Sequence, residues 1–231
     1  MPGGRTPVSP VPQAQYDAPP GPEQGTCGVR IGIFGGTFDP VHWGHLLLAE
    51  FCREQCRLER VFFVPSAQPP HKLGQPITPA KHRLQMLQLA TAGNPAFAIS
   101  PCELEREGPS YTYQTLEHFH QAHPQDELYL LLGGDSVAEL PGWRHPERIC
   151  RLARLVGVER PGSPPLDWQA LRRFFSESRW QQAPPVTVPM PQVELSSRQI
   201  RRRCRQGLSI RYQVPRAVEV YIQQHGLYRE S

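Results

Sequence analysis

The segment from residue 29 to residue 57 constrains the fold most, because it joins an apolar run to a glycine turn and a helix. The apolar run is Val29-Arg30-Ile31-Gly32-Ile33-Phe34, the turn begins at Gly35-Gly36, and a helical pattern continues to Arg57. Paired glycines let the backbone approach a ligand closely, and a helix N-terminus presents free N–H groups to an anion. The segment therefore predicts a phosphate site at the end of a buried strand.

Strand and helix patterns alternate along the rest of the chain. Short apolar runs predict strands at 29–34, 60–64, 97–100, 128–132 and 154–158. Helical patterns are present at 43–57, 79–92, 112–123, 145–152, 167–176, 197–206 and 215–225. Near-continuous apolar strands separated by helices are typical of a parallel sheet that is covered on both faces. We therefore expect an α/β fold of Rossmann-like type, with ligands at the carboxyl ends of the strands.

The first 28 residues differ in composition from the remainder. They carry seven prolines among Gly, Gln and Ser, and they lack the apolar content that a packed core needs. We expect residues 1–28 to be a disordered tail and residues 29–231 to form a single α/β domain, which suits a chain of 231 residues.

Bulk properties narrow the functional classes. No apolar run approaches the ~20 residues of a membrane helix, and no signal-peptide pattern is visible, so we expect a cytoplasmic protein with no membrane partner. Six cysteines without a CxxC pair favour free thiols over zinc or disulfides. The net charge of +4 is mild, and we expect no nucleic-acid partner. The oligomeric state stays open, with a homo-oligomer among the alternatives.

Two histidines define the chemistry of the glycine turn. His42 and His45 are three residues apart and share one face of the first helical turn. Imidazoles fixed there can donate hydrogen bonds to phosphate oxygens, and such a donor is typically worth ~3 kcal/mol of barrier. A metal pair is the competing interpretation, but no third ligand is apparent. We therefore assign His42 and His45 a catalytic role and predict no protein-made metal site.

The run Gly35-Gly36-Thr37-Phe38-Asp39-Pro40-Val41-His42-Trp43-Gly44-His45 resembles the HxGH signature of the nucleotidyltransferase superfamily. Its longer form is most similar to the bacterial nicotinate-nucleotide adenylyltransferases, and further similar segments extend over residues 29–228. The resemblance implies that Gly35, Gly36, Thr37 and Phe38 line ATP. Asp39 reads equally as an ordinary turn residue, because Asp before Pro favours a turn.

A second motif lies near the C-terminus, where Ser196 or Ser197 reads as a helix N-cap. It resembles the family's (I/V)SSTxIR segment, which implies that Ser196, Ser197 and Arg201 grip the ATP phosphates. Arg198 stands where the family has threonine. The basic stripe that continues along this helix reads as a solvated face, with an RNA-binding face as the alternative.

Three further segments, residues 65–72, 108–116 and 132–143, resemble segments that bind the acceptor or lie at the mouth of the site in the family. The resemblance implies that His71 and Lys72 lie at the mouth of the site, with Arg83 and Arg160 as weaker candidates for a phosphate contact. It also implies that Thr112, Asp135 and Trp143 bind the acceptor: an indole can stack on a pyridine ring, and Thr112 can bond a carboxylate. Arg144 follows Trp143 where the family often has tyrosine or lysine.

The resemblance implies adenylyl transfer from ATP to nicotinate mononucleotide in NAD biosynthesis, with Mg²⁺ bound together with ATP. Magnesium commonly binds through substrate phosphates, so no protein cage is expected. Nicotinamide mononucleotide and phosphopantetheine remain alternative acceptors. An alternative from another class is a nucleotide- or RNA-binding regulator without catalysis.

Overall fold

Six strands form one wholly parallel sheet in a computed structural model that describes residues 28–68, 77–159 and 165–229. The strands are β1 (Arg30–Gly36), β2 (Arg60–Pro65), β3 (Phe97–Ile99), β4 (Glu127–Gly133), β5 (Arg154–Glu159) and β6 (Val186–Pro189). Their order across the sheet is β3-β2-β1-β4-β5-β6. The chain therefore winds outward in one direction from β1 and in the other from β4.

Eight α-helices connect and cover the strands in the described part of the chain. They are α1 (Trp43–Gln55), α2 (Ala80–Thr91), α3 (Thr112–Ala122), α4 (Gly134–Glu139), α5 (Pro146–Leu152), α6 (Glu177–Gln182), α7 (Ser197–Arg205) and α8 (Arg216–Gln224). Two short 3₁₀-helices span Leu140–Gly142 and Gln169–Phe174. None of the helices among the described residues is long and apolar enough to span a bilayer.

The core is divided into two layers by the sheet, as alternation along the strands requires. On β4, Leu128, Leu130 and Leu132 belong to one buried cluster, whereas Tyr129 and Leu131 belong to the other. The first cluster also takes residues of α3, α4 and α5, and the second takes residues of α1, α2, α7 and α8. Helices thus cover both faces, and the expectation of a Rossmann-like parallel sheet is confirmed.

Some predicted elements need correction. The pattern at 167–176 predicted an α-helix, but the structure has the 3₁₀-helix Gln169–Phe174 there. The short elements β6, α4 and α6 were missed, because four to six residues are too few to show a period. The predicted disordered tail at 1–28 lies outside the described residues, apart from Gly28.

The reversal of strand order between β1 and β4 creates the crevice in which ligands bind to open α/β sheets. The segment after β1 leads into α1, and β4 leads directly into α4. Both helices follow the carboxyl ends of adjacent parallel strands. The fold therefore brings the glycine turn to the place where a ligand is expected.

Candidate active site

Residues 35–45, here called the histidine turn, place the two imidazoles against each other. His42 is the N-cap of α1 and is buried, while His45 is the third residue of the helix and is half-buried. The rings are stacked with their centroids 3.7 Å apart and their planes inclined by 24°. The backbone N–H of His42 donates to Nδ1 of His45 at 3.2 Å. Because Nδ1 of His45 accepts, the neutral ring carries its proton on Nε2, which is then a donor.

Two glycines make room for this arrangement. A Cβ on Gly44 would stand 3.1 Å from both Cε1 and Nδ1 of His42, so the absence of a side chain lets that ring lie over the helix. A Cβ on Gly36 would stand 2.8 Å from the ring of Phe38. Around Gly35, by contrast, no atom lies within 4 Å of the Cβ position, and Gly35 is exposed. Gly35 therefore presents open backbone to a ligand.

The ring of Phe38 packs against the ring of His45. The Phe38 φ of 49° is in the left-handed region, which costs a non-glycine residue on the order of 1–3 kcal/mol. The ring is buried and meets the ring of His45 edge-on, with centroids 5.1 Å apart. The Phe38 side chain lies in the core, which leaves its backbone to face a ligand, and the prediction that Phe38 lines ATP stays a prediction.

Side chains from α2 and α7 hold the backbone of the histidine turn. Arg83, which is 2% exposed, donates to the carbonyl oxygens of Thr37 at 2.9 Å, Ser66 at 2.8 Å and Thr78 at 2.8 Å. Burial lowers the pKa of the Arg83 guanidinium, and the nearby Asp39 carboxylate raises it. All of these bonds go to backbone carbonyls, and the phosphate contact of Arg83 stays a prediction.

The serine motif also reaches the histidine turn. The Ser197 hydroxyl donates to the carbonyl of Pro40 at 2.8 Å, and Arg201 donates to the carbonyl of Asp39 at 2.7 Å. The Ser196 hydroxyl accepts from the backbone N–H of Gln199 at 3.2 Å and thereby caps α7. The structure thus brings the two predicted ATP-binding motifs together. The direct contacts of Ser196, Ser197 and Arg201 with ATP remain predictions.

Asp39 and Tyr228 form a pair that the sequence patterns did not reveal. The buried Asp39 carboxylate accepts from the Tyr228 hydroxyl at 2.7 Å and from the backbone N–H of Thr78 at 3.3 Å. Burial and the neighbouring carboxylate raise the pKa of Tyr228 well above its ordinary value of 10.0, so the hydroxyl keeps its proton. No local pattern could have found this pair, because its members are 189 residues apart.

Two of the predicted acceptor residues, Thr112 and Trp143, lie on the segments 108–116 and 140–148, here called the acceptor segments. Thr112 is the first residue of α3, and Trp143 is partly buried against the core layer of α3 and α5. The Arg144 guanidinium lies 4.8 Å from the centre of the Tyr111 ring, which joins the two segments beside these residues. Asp135 is exposed in the first turn of α4. His71, Lys72 and Arg160 lie outside the described residues.

A buried carboxyl lies beneath the first acceptor segment. Glu103 accepts from the Thr115 hydroxyl at 2.5 Å. Burial raises the pKa of Glu103, and the hydrogen bonds from Thr115 and Ser110 oppose that effect. Ser110 also accepts from the backbone N–H of Ala67 at 3.1 Å, so the loop after β2 is tied to the same segment. Sequence inspection missed Glu103, which stands in an irregular, largely polar loop.

The remaining chemistry-bearing residues form no second centre in the described part of the chain. No group of three His, Cys, Asp or Glu residues there could hold a metal ion. The described cysteines are all free thiols, as the spacing predicted. Burial raises the pKa of each of them, so they are poor nucleophiles.

Comparison with known proteins agrees with this geometry. A family model described as cytidylyltransferase-like matches residues 33–203. The "Probable nicotinate-nucleotide adenylyltransferase" of Thermomicrobium roseum is 48% identical over 200 residues, which cover 87% of this chain and 92% of the relative. The protein of the same name from Thermus thermophilus is 47% identical over 203 residues, which cover 87% of this chain and 100% of the relative.

A solved structure shares the fold. The Plasmodium falciparum nicotinic acid mononucleotide adenylyltransferase complexed with NaAD aligns with a TM-score of 0.68 at 19% identity. The alignment covers 87% of this chain and 97% of that one, so the likeness extends over nearly the whole described domain. By its family model and by identity to these relatives, the chain belongs to the cytidylyltransferase-like family and, within it, to the nicotinate-nucleotide adenylyltransferases.

Proposed function

We propose that the protein transfers the adenylyl group of ATP to nicotinate mononucleotide, giving deamido-NAD and pyrophosphate. The observation that carries the proposal is the stacked pair His42 and His45 at the start of α1, at the carboxyl end of β1. The names of the relatives support the reaction, and one structural neighbour is described as complexed with NaAD and another with APC. The place in NAD biosynthesis follows from the product.

The reaction needs alignment more than proton transfer. A phosphate oxygen of the acceptor forms a bond to the α-phosphorus of ATP while the bond from that phosphorus to pyrophosphate breaks. The attacking oxygen is already an anion, so no general base is required. The protein must neutralise the charge that grows on the α-phosphoryl oxygens and on the leaving pyrophosphate. His45 can do so through Nε2–H, because its Nδ1 is occupied by the N–H of His42.

The rest of the histidine turn supports this donor. The exposed backbone of Gly35 allows close approach of the triphosphate, and the N-terminus of α1 adds free N–H groups. Ser197 and Arg201 keep the turn in place from α7. We propose that Ser196, Ser197 and Arg201 also face the ATP phosphates once the nucleotide is bound.

Magnesium fits this site as a companion of ATP. The described residues contain no protein-made metal cluster, and the Asp39 carboxylate is engaged by Tyr228 and Thr78. Such surroundings suit an ion held mainly by phosphate oxygens, as Mg²⁺ commonly is. When bound, the ion would offset negative charge on the triphosphate.

The acceptor is proposed to lie between the acceptor segments. Trp143 offers an aromatic face for a pyridine ring, Thr112 offers a hydroxyl, and Asp135 can accept from ribose hydroxyls. Arg144 adds a cationic group beside Tyr111 that suits the carboxylate of nicotinate better than the amide of nicotinamide. His71 and Lys72 stay predicted contacts at the mouth, and the cytoplasmic location stays a prediction.

The decisive experiment measures pyrophosphate release from ATP with nicotinate mononucleotide, nicotinamide mononucleotide and phosphopantetheine. We expect the nicotinate compound to be preferred. The His45→Ala variant should lose on the order of a hundredfold to a thousandfold in kcat, because a preorganised donor is removed. His123→Ala is the control, since His123 pairs with Asp126 on the other core layer. Equal rates with both mononucleotides would defeat the acceptor assignment, and unchanged turnover in His45→Ala would defeat the mechanism.

A further inference from the structure

We infer that Tyr228 and Asp39 position the two histidines, so that the segment after α8 is a working part of the active site. The inference rests on the proposed catalytic role of His42 and His45. Tyr228 touches neither imidazole in the contacts described above. It acts through the Asp39 carboxylate, which it bonds at 2.7 Å.

The Asp39 carboxylate is held from two sides. It is 4% exposed, and its oxygens accept from the Tyr228 hydroxyl and from the backbone N–H of Thr78 at 3.3 Å. A buried carboxylate that loses a donor keeps the cost of its removal from water without the compensating bond. Removal of the Tyr228 hydroxyl therefore pushes Asp39 to move toward another donor or toward solvent.

Movement of Asp39 is transmitted along a short, constrained backbone. Phe38 on one side has a left-handed φ, and Val41 on the other side is fully buried. The backbone carbonyl of Asp39 is bonded by Arg201, so its main chain and side chain are anchored separately. A shift at Asp39 must change the direction in which the chain enters His42, the N-cap whose N–H orients the His45 ring.

Tyr228 is itself firmly placed. It follows α8, whose Val218 and Ile222 are buried in the core layer that contains Phe38 and Leu46. Its φ of 65° turns the chain so that the ring reaches back to the histidine turn. The phenol is thus a donor attached to the rigid core, which is what a positioning group requires.

Tyr221 supplies a matched control on the same helix. Its hydroxyl bonds Nδ1 of His82 on α2 at 2.9 Å, and it has no described contact with the histidine turn. Tyr221→Phe and Tyr228→Phe each remove one hydroxyl; the first loses the bond to His82, and the second loses the bonds to Asp39 and to the Thr78 side chain. Both variants should lose thermal stability, Tyr228→Phe the more because it leaves the buried Asp39 carboxylate short of a donor, whereas only Tyr228→Phe should misplace the histidines.

The first measurement is steady-state kinetics with ATP and nicotinate mononucleotide. We expect Tyr228→Phe to lower kcat on the order of tenfold to a hundredfold, as misplacement of catalytic groups by a fraction of an ångström does, with little change in either KM. Tyr221→Phe should keep the kcat of the wild type. Equal kcat values in the two variants would overturn the inference.

The second measurement does not depend on turnover. The ¹⁵N signals of the His45 imidazole report which nitrogen carries the proton, and the wild type should show an unprotonated Nδ1. Tyr228→Phe should weaken that preference and Tyr221→Phe should preserve it. A wild type inactive with every acceptor would refute the proposed function alone, while an unchanged His45 signal in Tyr228→Phe would refute the positioning role alone.

A third variant keeps the inference testable if Tyr228→Phe folds poorly. In Asp39→Asn the amide oxygen can still accept from Thr78, and the amide N–H can donate to the Tyr228 oxygen, so both contacts survive with the charge removed. The positioning role predicts a smaller loss of kcat for Asp39→Asn than for Asp39→Ala. A loss as large as that of Asp39→Ala would show that the charge matters and would contradict positioning.

Discussion

The histidine turn and the acceptor segments are held in different ways. The histidine turn is largely buried, and its carbonyls are bonded by Arg83, Ser197 and Arg201 from two helices. The acceptor segments meet through stacked side chains, with the exposed Arg144 over Tyr111 and Arg148 over Tyr113. One region is fixed by directional bonds, and the other is joined by adaptable contacts.

The difference separates the two tasks of the enzyme. Charge stabilisation in the transition state depends on donors that are already in place, so the phosphate end must be rigid. Acceptor choice depends on contacts that can be exchanged without disturbing the chemistry. We therefore expect substitutions in the histidine turn to change kcat, and substitutions in the acceptor segments to change the KM for the acceptor.

Among the substitutions that compare the two regions, the largest effect is expected for Gly44→Ala. The added Cβ would stand 3.1 Å from the His42 ring, which must then give way. We expect kcat to fall about tenfold or more, because the ring of His42 is stacked on that of His45 and its displacement moves the donor. Alanine favours a helix over glycine by up to ~1 kcal/mol, so the melting temperature should hold or rise.

Gly93→Ala is the control for that variant, since no atom lies within 4 Å of its Cβ position. It should leave both kcat and stability near those of the wild type. A Gly44→Ala protein with full kcat would show that the histidine turn is less rigid than its bonds suggest, and the contrast with the acceptor segments would fail.

A smaller effect is expected for Arg144→Gln. The glutamine loses the cation that faces Tyr111, an interaction that is weak at exposed positions. The KM for nicotinate mononucleotide should rise about threefold to fivefold, as loss of one exposed contact does, while kcat and the KM for ATP hold.

Arg148→Gln provides the comparison. Arg148 stacks on Tyr113 of α3 and also pairs with Glu117, which lies one turn after Tyr113 on the same helix. The variant should affect stability more than the KM for the acceptor. A fall in kcat with an unchanged acceptor KM in Arg144→Gln would place Arg144 with the chemistry and remove the distinction between the two regions.

The smallest effect is expected for Glu103→Gln under the first acceptor segment. Burial raises the pKa of Glu103 above its ordinary value of 4.5, so the fold favours the neutral carboxyl. The stability that the protonated group contributes is present below pH ~4.5 and is lost as the pH rises through the raised pKa. Glutamine stays neutral and still accepts from Thr115. The variant should therefore gain free energy of unfolding over the wild type as the pH rises.

Urea unfolding at several pH values measures this difference. Glu107→Gln, an exposed residue of the same loop, controls for the loss of one negative charge. A gain that is independent of pH would contradict burial as the cause. A pH-dependent gain would show that ionisation of Glu103 lowers the free energy of unfolding beneath the first acceptor segment.

Much of the fold follows from short-range patterns. β1, β2, β4 and β5 are apolar runs, and six of the predicted helices coincide with observed ones, because burial of a strand or of a helix face leaves a visible period. β6 escaped notice, since its four residues end in a proline at the edge of the sheet. The predicted helix at 167–176 failed because periodicity does not separate an α-helix from a short 3₁₀-helix.

The site was predictable only in its local part. The histidine turn could be read from adjacent residues, and Ser197 and Arg201 were singled out through their own motif. The bonds that join them were not readable, because they link residues more than 150 positions apart. Arg83 is the clearest case: a lone arginine in a helix normally faces solvent, and only tertiary structure shows that it bonds three backbone carbonyls.

The reach from Asp39 to Tyr228 has a consequence for protein synthesis. The two residues are separated by 189 positions, and ribosomes add about 5–20 residues per second, so on the order of ten to forty seconds pass between their translation. During that interval the histidines exist without the phenol that bonds their neighbour. A nascent chain can therefore assemble the central strands first and gain a competent catalytic turn only when the segment after α8 emerges.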